Sequence, residues 1–115
     1  MKLLLAIIQP PKLDTVRNAL EKIGVERMTV CDARGYARQR GQTATFRGHE
    51  YKANLLRKVA VEIVVHDDQL DRTIETLSAV ARTSPDGNIG DGKIFILPVE
   101  DAIRTRDMVR GPEAV

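Results

Sequence analysis

The sequence predicts a mixed α/β fold of the α+β type, in which two helices pack on one four-stranded antiparallel sheet. Four apolar runs have the length of β-strands, and two segments repeat apolar side chains at helical spacing. Along the chain these segments follow the order β-α-β-β-α-β, which is the split βαβ arrangement. We therefore expect a ferredoxin-like fold in a single domain that spans residues 1–115.

The first strand and the first helix have the clearest patterns. Residues 2–9 form a continuous apolar run, and the two prolines that follow end it because proline cannot donate a ladder hydrogen bond. Residues 12–24 carry an apolar side chain at every third or fourth position, which predicts a helix. Gly24 provides the left-handed residue that commonly ends a helix.

The other elements follow from the same patterns. The remaining strands are predicted at residues 28–36, 59–65 and 93–97. Asp67 or Asp68 can cap the second helix, whose apolar face begins at Leu70. Cys31 lies in the middle of the second strand, so we expect it in the core. As the only cysteine it cannot form an internal disulfide.

Two of the predicted strands are apolar on nearly both faces. An antiparallel sheet covered by helices on one side normally alternates apolar and polar residues, but residues 3–8 and 59–65 hardly alternate. Two helices cover only one face of such a sheet, and monomers rarely expose an apolar patch as large as the other face. We expect that second face to be buried in a closed symmetric oligomer of this chain.

A long connection separates the second and third predicted strands. Residues 38–54 are rich in Arg and Gly and show no hydrophobic period, whereas connections in compact domains usually have about two to six residues. Ordering such a segment costs backbone entropy that few apolar contacts offset. We expect the connection to be mobile in the free protein and to become ordered by a ligand or a partner.

A glycine-rich segment at residues 83–93, which we call the glycine turn, is a candidate anion site. Its last part reads 90-GDGK-93. Glycines allow backbone N–H groups to converge on an anion, and Lys93 would add a full charge beside them. The same residues also fit an ordinary Asp-Gly turn before a strand, and the segment alone does not decide between the two.

Two arginines near the end of the chain extend this candidate site. Arg104 and Arg106 would point the same way in an extended chain and could then reach one phosphate together. The alternative is a solvated tail without a ligand. With Arg38 and Lys93 they supply four cations for one polyphosphate such as ATP or ADP.

Composition and motifs narrow the function classes. A net charge of +2 argues against a bulk polyanion binder but permits a local basic patch. The apolar run at residues 2–9 is too short to span a membrane, so we expect a cytoplasmic protein. No nucleophile and base stand in a catalytic arrangement, so we do not expect an enzyme.

One alternative function stays open, an RNA-binding ferredoxin-like module that uses the Arg-rich loop. RNA-recognition motifs share this strand order and stack bases on aromatic side chains of the sheet. The predicted strands at 2–9 and 59–65 contain no aromatic residue. Direct binding of nucleic acid is therefore not expected.

Three stretches together resemble the PII signal-transduction family, the nitrogen regulatory proteins. They are 7-IIQPPKLDTVRNAL-20, 34-RGYARQRGQTATFRGHEY-51 and 89-IGDGKIFILPVEDAIRTR-106. The resemblance implies a homotrimer with nucleotide clefts between its subunits. It identifies the long connection, at about residues 37–55, with the family's T-loop. It likewise identifies the glycine turn with the family's nucleotide-binding turn and residues 104–115 with the C-terminal tail.

The resemblance also implies the ligands and the residues that hold them. The family senses ATP or ADP together with 2-oxoglutarate, which binds beside ATP through Mg²⁺. The matching nucleotide contacts are Arg38, Val64, Gly90, Asp91, Gly92, Lys93, Arg104 and Arg106. Gln39 would be a ligand of Mg²⁺ and a contact of 2-oxoglutarate, and Lys58 would pair with a carboxylate of the keto acid.

Partners are implied as well. In the family the T-loop tip docks on target enzymes or on membrane proteins of the ammonium-transporter type. In some members a nucleotidyltransferase uridylylates the tyrosine that matches Tyr51. We therefore expect a nonenzymatic regulator of nitrogen metabolism whose T-loop conformation reports which small molecules are bound.

The sequence departs from the common family pattern at several positions. Ala37 stands where the family often has glycine, and Ser84 replaces a glycine within 84-SPDGN-88, which is longer than the common form of this turn. The common ending Arg-x-Arg-Thr-Gly-Glu reads 104-RTRDMV-109 here. These departures bear on the preference between ATP and ADP and on the role of the tail.

Overall fold

The predicted strands and helices are present in the computed structural model, with bounds that differ by at most three residues. It describes residues 1–36 and 55–115, and only the backbone of residues 44–46 and 49–51 between them. The helices are α1 (Leu13–Lys22) and α2 (Leu70–Ala81). The strands are β1 (Lys2–Ile8), β2 (Thr29–Gly35), β3 (Ala44–Phe46), β4 (His49–Tyr51), β5 (Leu56–Val65) and β6 (Gly92–Pro98).

The main sheet has the strand order β2-β5-β1-β6, and all neighbouring strands are antiparallel. This is the ferredoxin-like topology that the element order predicts. In the register of the two central strands, Leu3 lies opposite Val64 and Ile7 lies opposite Ala60. Leu3 and Val64 therefore lie near one end of the sheet, and Ile7 and Ala60 lie near the other end.

A short hairpin within the long connection was not predicted. Strands β3 and β4 pair antiparallel, with Ala44 opposite Tyr51 and Phe46 opposite His49. Each strand has only three residues, too few for an alternating pattern to be recognised in sequence. The expected mobility of the connection concerns residues that lie mainly outside the described part of the chain.

The core lies between one face of the sheet and the two helices. Alternate residues of β1 and β5 are buried there, and they pack with Val16 and Leu20 of α1 and with Leu77 of α2. The buried strand residues are Leu4, Ala6, Ile8, Val59, Val61, Ile63 and Val65. Among the described residues the buried hydrophobic side chains are all aliphatic, and each fully buried Val, Leu or Ile contributes roughly 1.5–3 kcal/mol of hydrophobic stabilisation.

The ends of the helices agree only partly with the sequence analysis. Gly24 has a φ of 86° and donates its N–H to the carbonyl of Glu21, as expected of a residue that ends a helix. The prediction that Asp67 or Asp68 caps α2 is wrong, because these residues form a 3-10 turn before the helix without a side-chain cap. The Asp67 carboxylate instead accepts a hydrogen bond of 3.3 Å from Lys2.

The face of the sheet opposite the helices, which we call the open face, is largely apolar. Leu3, Leu5 and Ile7 of β1 point to this face and are only partly buried, while Phe95 of β6 is 48% exposed. The two-sided apolar pattern of the central strands therefore corresponds to a real uncovered surface. The core position expected for Cys31 is wrong, because Cys31 lies on the open face of edge strand β2, opposite Ala60, and is exposed.

Within the described residues, no helix is both long enough and apolar enough to cross a membrane.

Candidate functional site

The glycine turn is organised around the carboxylate of Asp91. This carboxylate accepts hydrogen bonds from the Thr83 hydroxyl at 2.6 Å, from the Thr83 backbone N–H at 3.2 Å and from the Asn88 backbone N–H at 2.8 Å. The pKa of Asp91 is lowered from its ordinary value of 3.8, chiefly by the Thr83 hydroxyl and then by the Asn88 N–H. Asp91 is thus an ionised group that holds both ends of the turn.

The side chain of Asn88 also stabilises the glycine turn, through hydrogen bonds to residues at its start. Its amide donates to the Thr83 hydroxyl oxygen at 2.7 Å and to the Ser84 hydroxyl oxygen at 3.2 Å. Ser84, noted above as a replacement for glycine, therefore serves as an acceptor within the longer turn. Hydrogen bonds from Asn88 thus connect the two ends of the longer segment 84-SPDGN-88.

Two side chains from the sheet reach the glycine turn at Gly90. The carbonyl of Gly90 accepts a hydrogen bond of 2.6 Å from the Gln9 amide and one of 2.8 Å from the Lys58 ammonium. Lys58, which the resemblance assigns to 2-oxoglutarate, is thereby placed beside the turn that is assigned to the nucleotide. Sequence reasoning missed Gln9, because a single polar residue after an apolar strand carries no periodic signal.

Close packing fixes the start of β6. Gly92 has a φ of 122°, and a Cβ atom at this position would overlap the carbonyl oxygen of Ile7. The next residue, Lys93, is exposed on the open face and lies opposite Ile7 of β1. Glycines with positive φ and an adjacent lysine that has no ion-pair partner among the described residues therefore lie together at one end of the sheet.

A second group of predicted residues lies at the other end of the sheet. Val64 and Arg104 line one cleft of about 670 Å³. The same cleft is lined by Met28, Thr29 and Glu62, which the sequence analysis did not single out. Their proximity to Val64 follows from strand pairing, since Thr29 lies opposite Glu62, and only a known register could have revealed it.

The two groups are too far apart in one chain to contact a single phosphate group. Val64 pairs with Leu3 of β1, whereas Lys93 pairs with Ile7 of the same strand. Four residues of an extended strand span about 13 Å. One copy of the chain therefore supplies two separate cationic regions, one at each end of the sheet.

The extended conformation expected around Arg104 and Arg106 is wrong. The chain turns back on itself at residues 105–107, and both Asp107 and Met108 donate their backbone N–H to the Arg104 carbonyl, at 3.3 and 2.8 Å. A single antiparallel bridge joins Ile103 to Arg110 across this reversal.

The same reversal gives both arginines an acidic partner. The guanidinium of Arg104 contacts the Asp107 carboxylate through Nε at 3.0 Å and through Nη2 at 2.7 Å. Arg106, which is 77% exposed, approaches this carboxylate at 3.6 Å. The Arg104 guanidinium is the main cause that holds the pKa of Asp107 below its ordinary 3.8. The solvated-tail alternative does not describe Arg104, which is 33% exposed.

Three predicted residues cannot be placed at the site. Arg38 and Gln39 lie outside the described residues, and for Tyr51 only the backbone in β4 is described. Among the residues that the structure describes, no three His, Cys, Asp or Glu side chains form a group that could hold a metal ion. Magnesium bound here would need most of its oxygen ligands from bound nucleotide and from water.

Comparisons with known proteins agree on one family. The family model described as nitrogen regulatory protein P-II matches residues 1–108. The chain is 51% identical to the nitrogen regulatory protein P-II of Nostoc punctiforme over the full length of both chains. It is 47% identical to the nitrogen regulatory protein GlnK1 of Methanosarcina mazei, over all of this chain and 97% of the relative.

A solved structure gives the same answer for the fold. The crystal structure of Arabidopsis thaliana PII bound to citrate superposes with a TM-score of 0.77 at 39% sequence identity. The match covers 97% of this chain and 86% of the other. The chain therefore belongs to the nitrogen regulatory protein P-II family, whose members are regulatory, non-enzymatic signal transducers.

Proposed function

We propose that this protein senses ATP or ADP, together with 2-oxoglutarate and Mg²⁺, at clefts between the subunits of a homotrimer. The T-loop, at about residues 37–55, would pass the result to target proteins. One observation carries the proposal. The cationic residues form two half-sites at opposite ends of one sheet, so a complete polyphosphate site requires two copies of the chain.

The open face supports the assembly that such a shared site needs. Leu3, Leu5, Ile7 and Phe95 form an apolar surface on the side without helices. Burial of apolar area drives association, and closed symmetry lets every copy bury the same surface. In a closed ring, the glycine turn of one copy would face the Val64 and Arg104 cleft of the next.

The glycine turn is suited to the phosphates. Gly90 and Gly92 have φ values of 94° and 122°, which allow the backbone to approach an anion closely. Lys93 adds one positive charge beside them, and Asp91 keeps the turn in shape through its hydrogen bonds. The backbone is therefore already folded before a ligand arrives, which lowers the cost of binding.

Lys58 is suited to a dicarboxylate beside the nucleotide. Its ammonium already lies at the glycine turn, 2.8 Å from the Gly90 carbonyl oxygen. A carboxylate of 2-oxoglutarate is a stronger acceptor for an ammonium than a neutral carbonyl. Gln39 would help to hold Mg²⁺ together with oxygen atoms of the bound ligands, and the ion would supply positive charge where several anionic groups come together. These contacts join the keto acid to the nucleotide.

The position of the T-loop supports its role as the output. It leaves β2 after Gly35 and returns to β5 at Leu56, two residues before Lys58. A ligand can shift a loop only by binding one loop state more tightly than another, and Gln39 at the loop base would provide that difference. Target enzymes, an ammonium-transporter-type membrane protein and a nucleotidyltransferase that modifies Tyr51 are the proposed partners.

Calorimetry on the purified protein tests the proposal. We expect ATP and ADP to bind, and we expect 2-oxoglutarate to bind only when both ATP and Mg²⁺ are present. Sedimentation of the same sample should give a trimer. Tight binding of 2-oxoglutarate without nucleotide, or a stable monomer that still binds ATP, would contradict the proposed site.

A lysine substitution separates the two ligands. Lys58→Ala should weaken 2-oxoglutarate by more than about tenfold, because a charge-assisted contact is lost, while ATP affinity changes much less. Lys22→Ala, which removes the same charge from the exposed end of α1, is the control. Equal loss of both ligands in Lys58→Ala would instead mean that Lys58 serves the shape of the glycine turn.

The RNA-binding alternative gains no support from the described residues. Its sheet would need aromatic side chains on the central strands. Strands β1 and β5 place only aliphatic, charged or small residues on the open face.

A further inference from the structure

The carboxylate of Asp107 occupies the position where the proposed nucleotide site needs free arginines. It contacts the Arg104 guanidinium through two nitrogens, at 3.0 and 2.7 Å, and lies 3.6 Å from Arg106. The Val109 backbone N–H also donates to this carboxylate, at 3.2 Å. Both cations that are proposed for one phosphate therefore share a single internal anion.

The backbone is bent to bring this anion into place. Met108, the residue after Asp107, has a φ of 62°, a conformation that side chains other than glycine rarely adopt. The ending that is common in the family has Thr and Gly at the positions where this chain has Asp107 and Met108. The departure from the common pattern is thus located at the residues that put a carboxylate against the two arginines.

We propose that Asp107 sets the nucleotide affinity of this protein by acting as an internal competitor of the phosphates for Arg104 and Arg106. The proposal rests on the proposed nucleotide function. Carboxylate and phosphate oxygens accept the same forked hydrogen bonds from a guanidinium. A phosphate must therefore displace Asp107 before it gains both contacts, and the ion pair that is lost offsets part of the binding free energy.

The competition is present throughout the neutral range. Arg104 lowers the pKa of Asp107 below 3.8, so the carboxylate remains ionised near pH 7. A second acid in the tail, Glu113, influences Arg104 only at longer range through its charge, although its backbone carbonyl accepts a hydrogen bond of 3.4 Å from Arg104. Glu113 therefore offers a matched control for the removal of one negative charge.

Nucleotide titrations of Asp107→Asn test the proposal directly. Asparagine keeps a side-chain oxygen that can accept from the Val109 N–H, but it removes the charge that holds the arginines. Since both partners of this ion pair are about one-third exposed, we expect a gain in ATP and ADP affinity of about two- to fivefold. Adenosine, which has no phosphate, should bind as weakly to the variant as to the parent.

Two further variants make the result specific. Glu113→Gln should leave ATP affinity unchanged, and an equal gain in this variant would mean a long-range charge effect and would overturn the proposal. The double variant Asp107→Thr with Met108→Gly restores the common family ending and keeps the test available if Asp107→Asn does not fold. It should also gain affinity for ATP.

The outcomes separate this proposal from the proposed function. A protein that binds ATP with unchanged or weaker affinity in both Asp107 variants would overturn the role of Asp107 alone. If the parent protein binds no adenine nucleotide, the proposed nucleotide site itself is wrong. If Arg104→Ala with Arg106→Ala binds as well as the parent, the tail arginines do not contact the nucleotide and the role of Asp107 is overturned with them. A gain in both Asp107 variants and none in Glu113→Gln supports the internal competitor.

Discussion

The two half-sites use their acidic residues in opposite ways. In the glycine turn, Asp91 accepts hydrogen bonds from Thr83 and Asn88, and no described acidic side chain forms an ion pair with Lys93. In the C-terminal segment, by contrast, the acids bind cations directly. Asp107 holds Arg104 at 2.7 Å and Asp101 holds Arg110 at 2.6 Å.

The acidic residue of the glycine turn therefore fixes the shape of the backbone, whereas the acidic residues of the tail neutralise the charge of arginines. The glycine turn has a hydrogen-bonded backbone, and Lys93 has no ion-pair partner among the described residues, so a phosphate bound there would displace no described acidic group. In the tail, Arg104 and Arg106 already share the Asp107 carboxylate, so an added anion must compete with an internal one. We infer that the affinity of the first half-site depends on backbone geometry and that of the second depends on ion exchange.

The largest expected effect compares one glycine from each region. Gly92→Ala should destabilise the fold by roughly 3 kcal/mol or more, since the new Cβ would overlap the Ile7 carbonyl and neither strand can move away. Gly111→Ala in the tail has open space around its Cβ position and a φ of 78°. It should cost only about 1–2 kcal/mol of left-handed strain.

Thermal unfolding followed by circular dichroism measures both variants. Both glycines have a positive φ, 122° at Gly92 and 78° at Gly111, so the gap between the two losses combines a difference in backbone strain with the clash of a Cβ at Gly92 against β1. Equal losses in the two variants would mean that the turn is no more constrained than the tail, and the contrast between the half-sites would fail.

Loss of the tail arginines should produce the next largest effect. Arg104→Ala combined with Arg106→Ala should lower ATP and ADP affinity by more than about tenfold, because two charge-assisted contacts to phosphate are removed. The matched control removes two exposed arginines from the helices, Arg17→Ala with Arg72→Ala. Calorimetry that gives the same ATP affinity for both double variants would return the tail arginines to a purely structural role.

Much of this contrast could not be predicted from the sequence, although the fold could. Apolar runs of strand length predicted every strand of the main sheet, and the helical spacing of apolar residues predicted both helices, because burial against a common core requires apolar residues at those positions. The unusual backbone at 90-GDGK-93 could be predicted as well, since few residues other than glycine adopt the positive φ angles of Gly90 and Gly92. The hairpin of β3 and β4 was missed because its strands are too short.

Contacts between distant segments carried no sequence signal. The hydrogen bond from Gln9 to Gly90 depends on the pairing of β1 with β6. The turn that joins Arg104 to Asp107 depends on Met108 accepting a left-handed conformation, which its residue type argues against. Cys31 was misplaced because its strand lies at the edge of the sheet, where only one side is covered.

A smaller effect is expected from the acid in the glycine turn. Asp91→Asn replaces an acceptor by an amide that faces the donors of Thr83 and Asn88, so the turn should lose its fixed shape. ATP affinity should fall by about two- to tenfold, the range expected for lost hydrogen bonds that preorganise a site. The control is Asp86→Asn, which removes the same charge from an exposed position of the same turn.

The direction of the change in ATP affinity distinguishes the two half-sites most clearly. Asp91→Asn should weaken the nucleotide, whereas Asp107→Asn should strengthen it, although both remove one negative charge near bound phosphates. Calorimetric titrations under one salt condition suffice. If both substitutions strengthened ATP binding, general electrostatic attraction would explain them and the two carboxylates would have the same role.

The smallest effect concerns acid stability. The folded-state pKa values of Asp91, Asp101 and Asp107 all lie below the ordinary 3.8. The stability that an acid with a lowered pKa contributes is complete above its unfolded value and is lost as pH falls through the folded value. The protein should therefore unfold more easily as pH falls below about 3.8, and remain insensitive to these groups between about pH 5 and 7.

Melting temperatures of Asp107→Asn and of the parent, measured over a series of pH values, show how much of the stability lost in acid comes from the tail. At pH 7 the variant should melt slightly below the parent, because the ion pair with Arg104 is missing. As pH falls through the lowered folded-state pKa of Asp107, the two melting temperatures should converge, since the protonated carboxyl of the parent is no longer an ion-pair partner. A gap that persists unchanged after the parent carboxyl is protonated would mean that the contribution of Asp107 to stability does not come from its charge. In that case backbone geometry would hold the arginines in place, as it holds the glycine turn. The two half-sites would then differ only in that one of them is built from glycines.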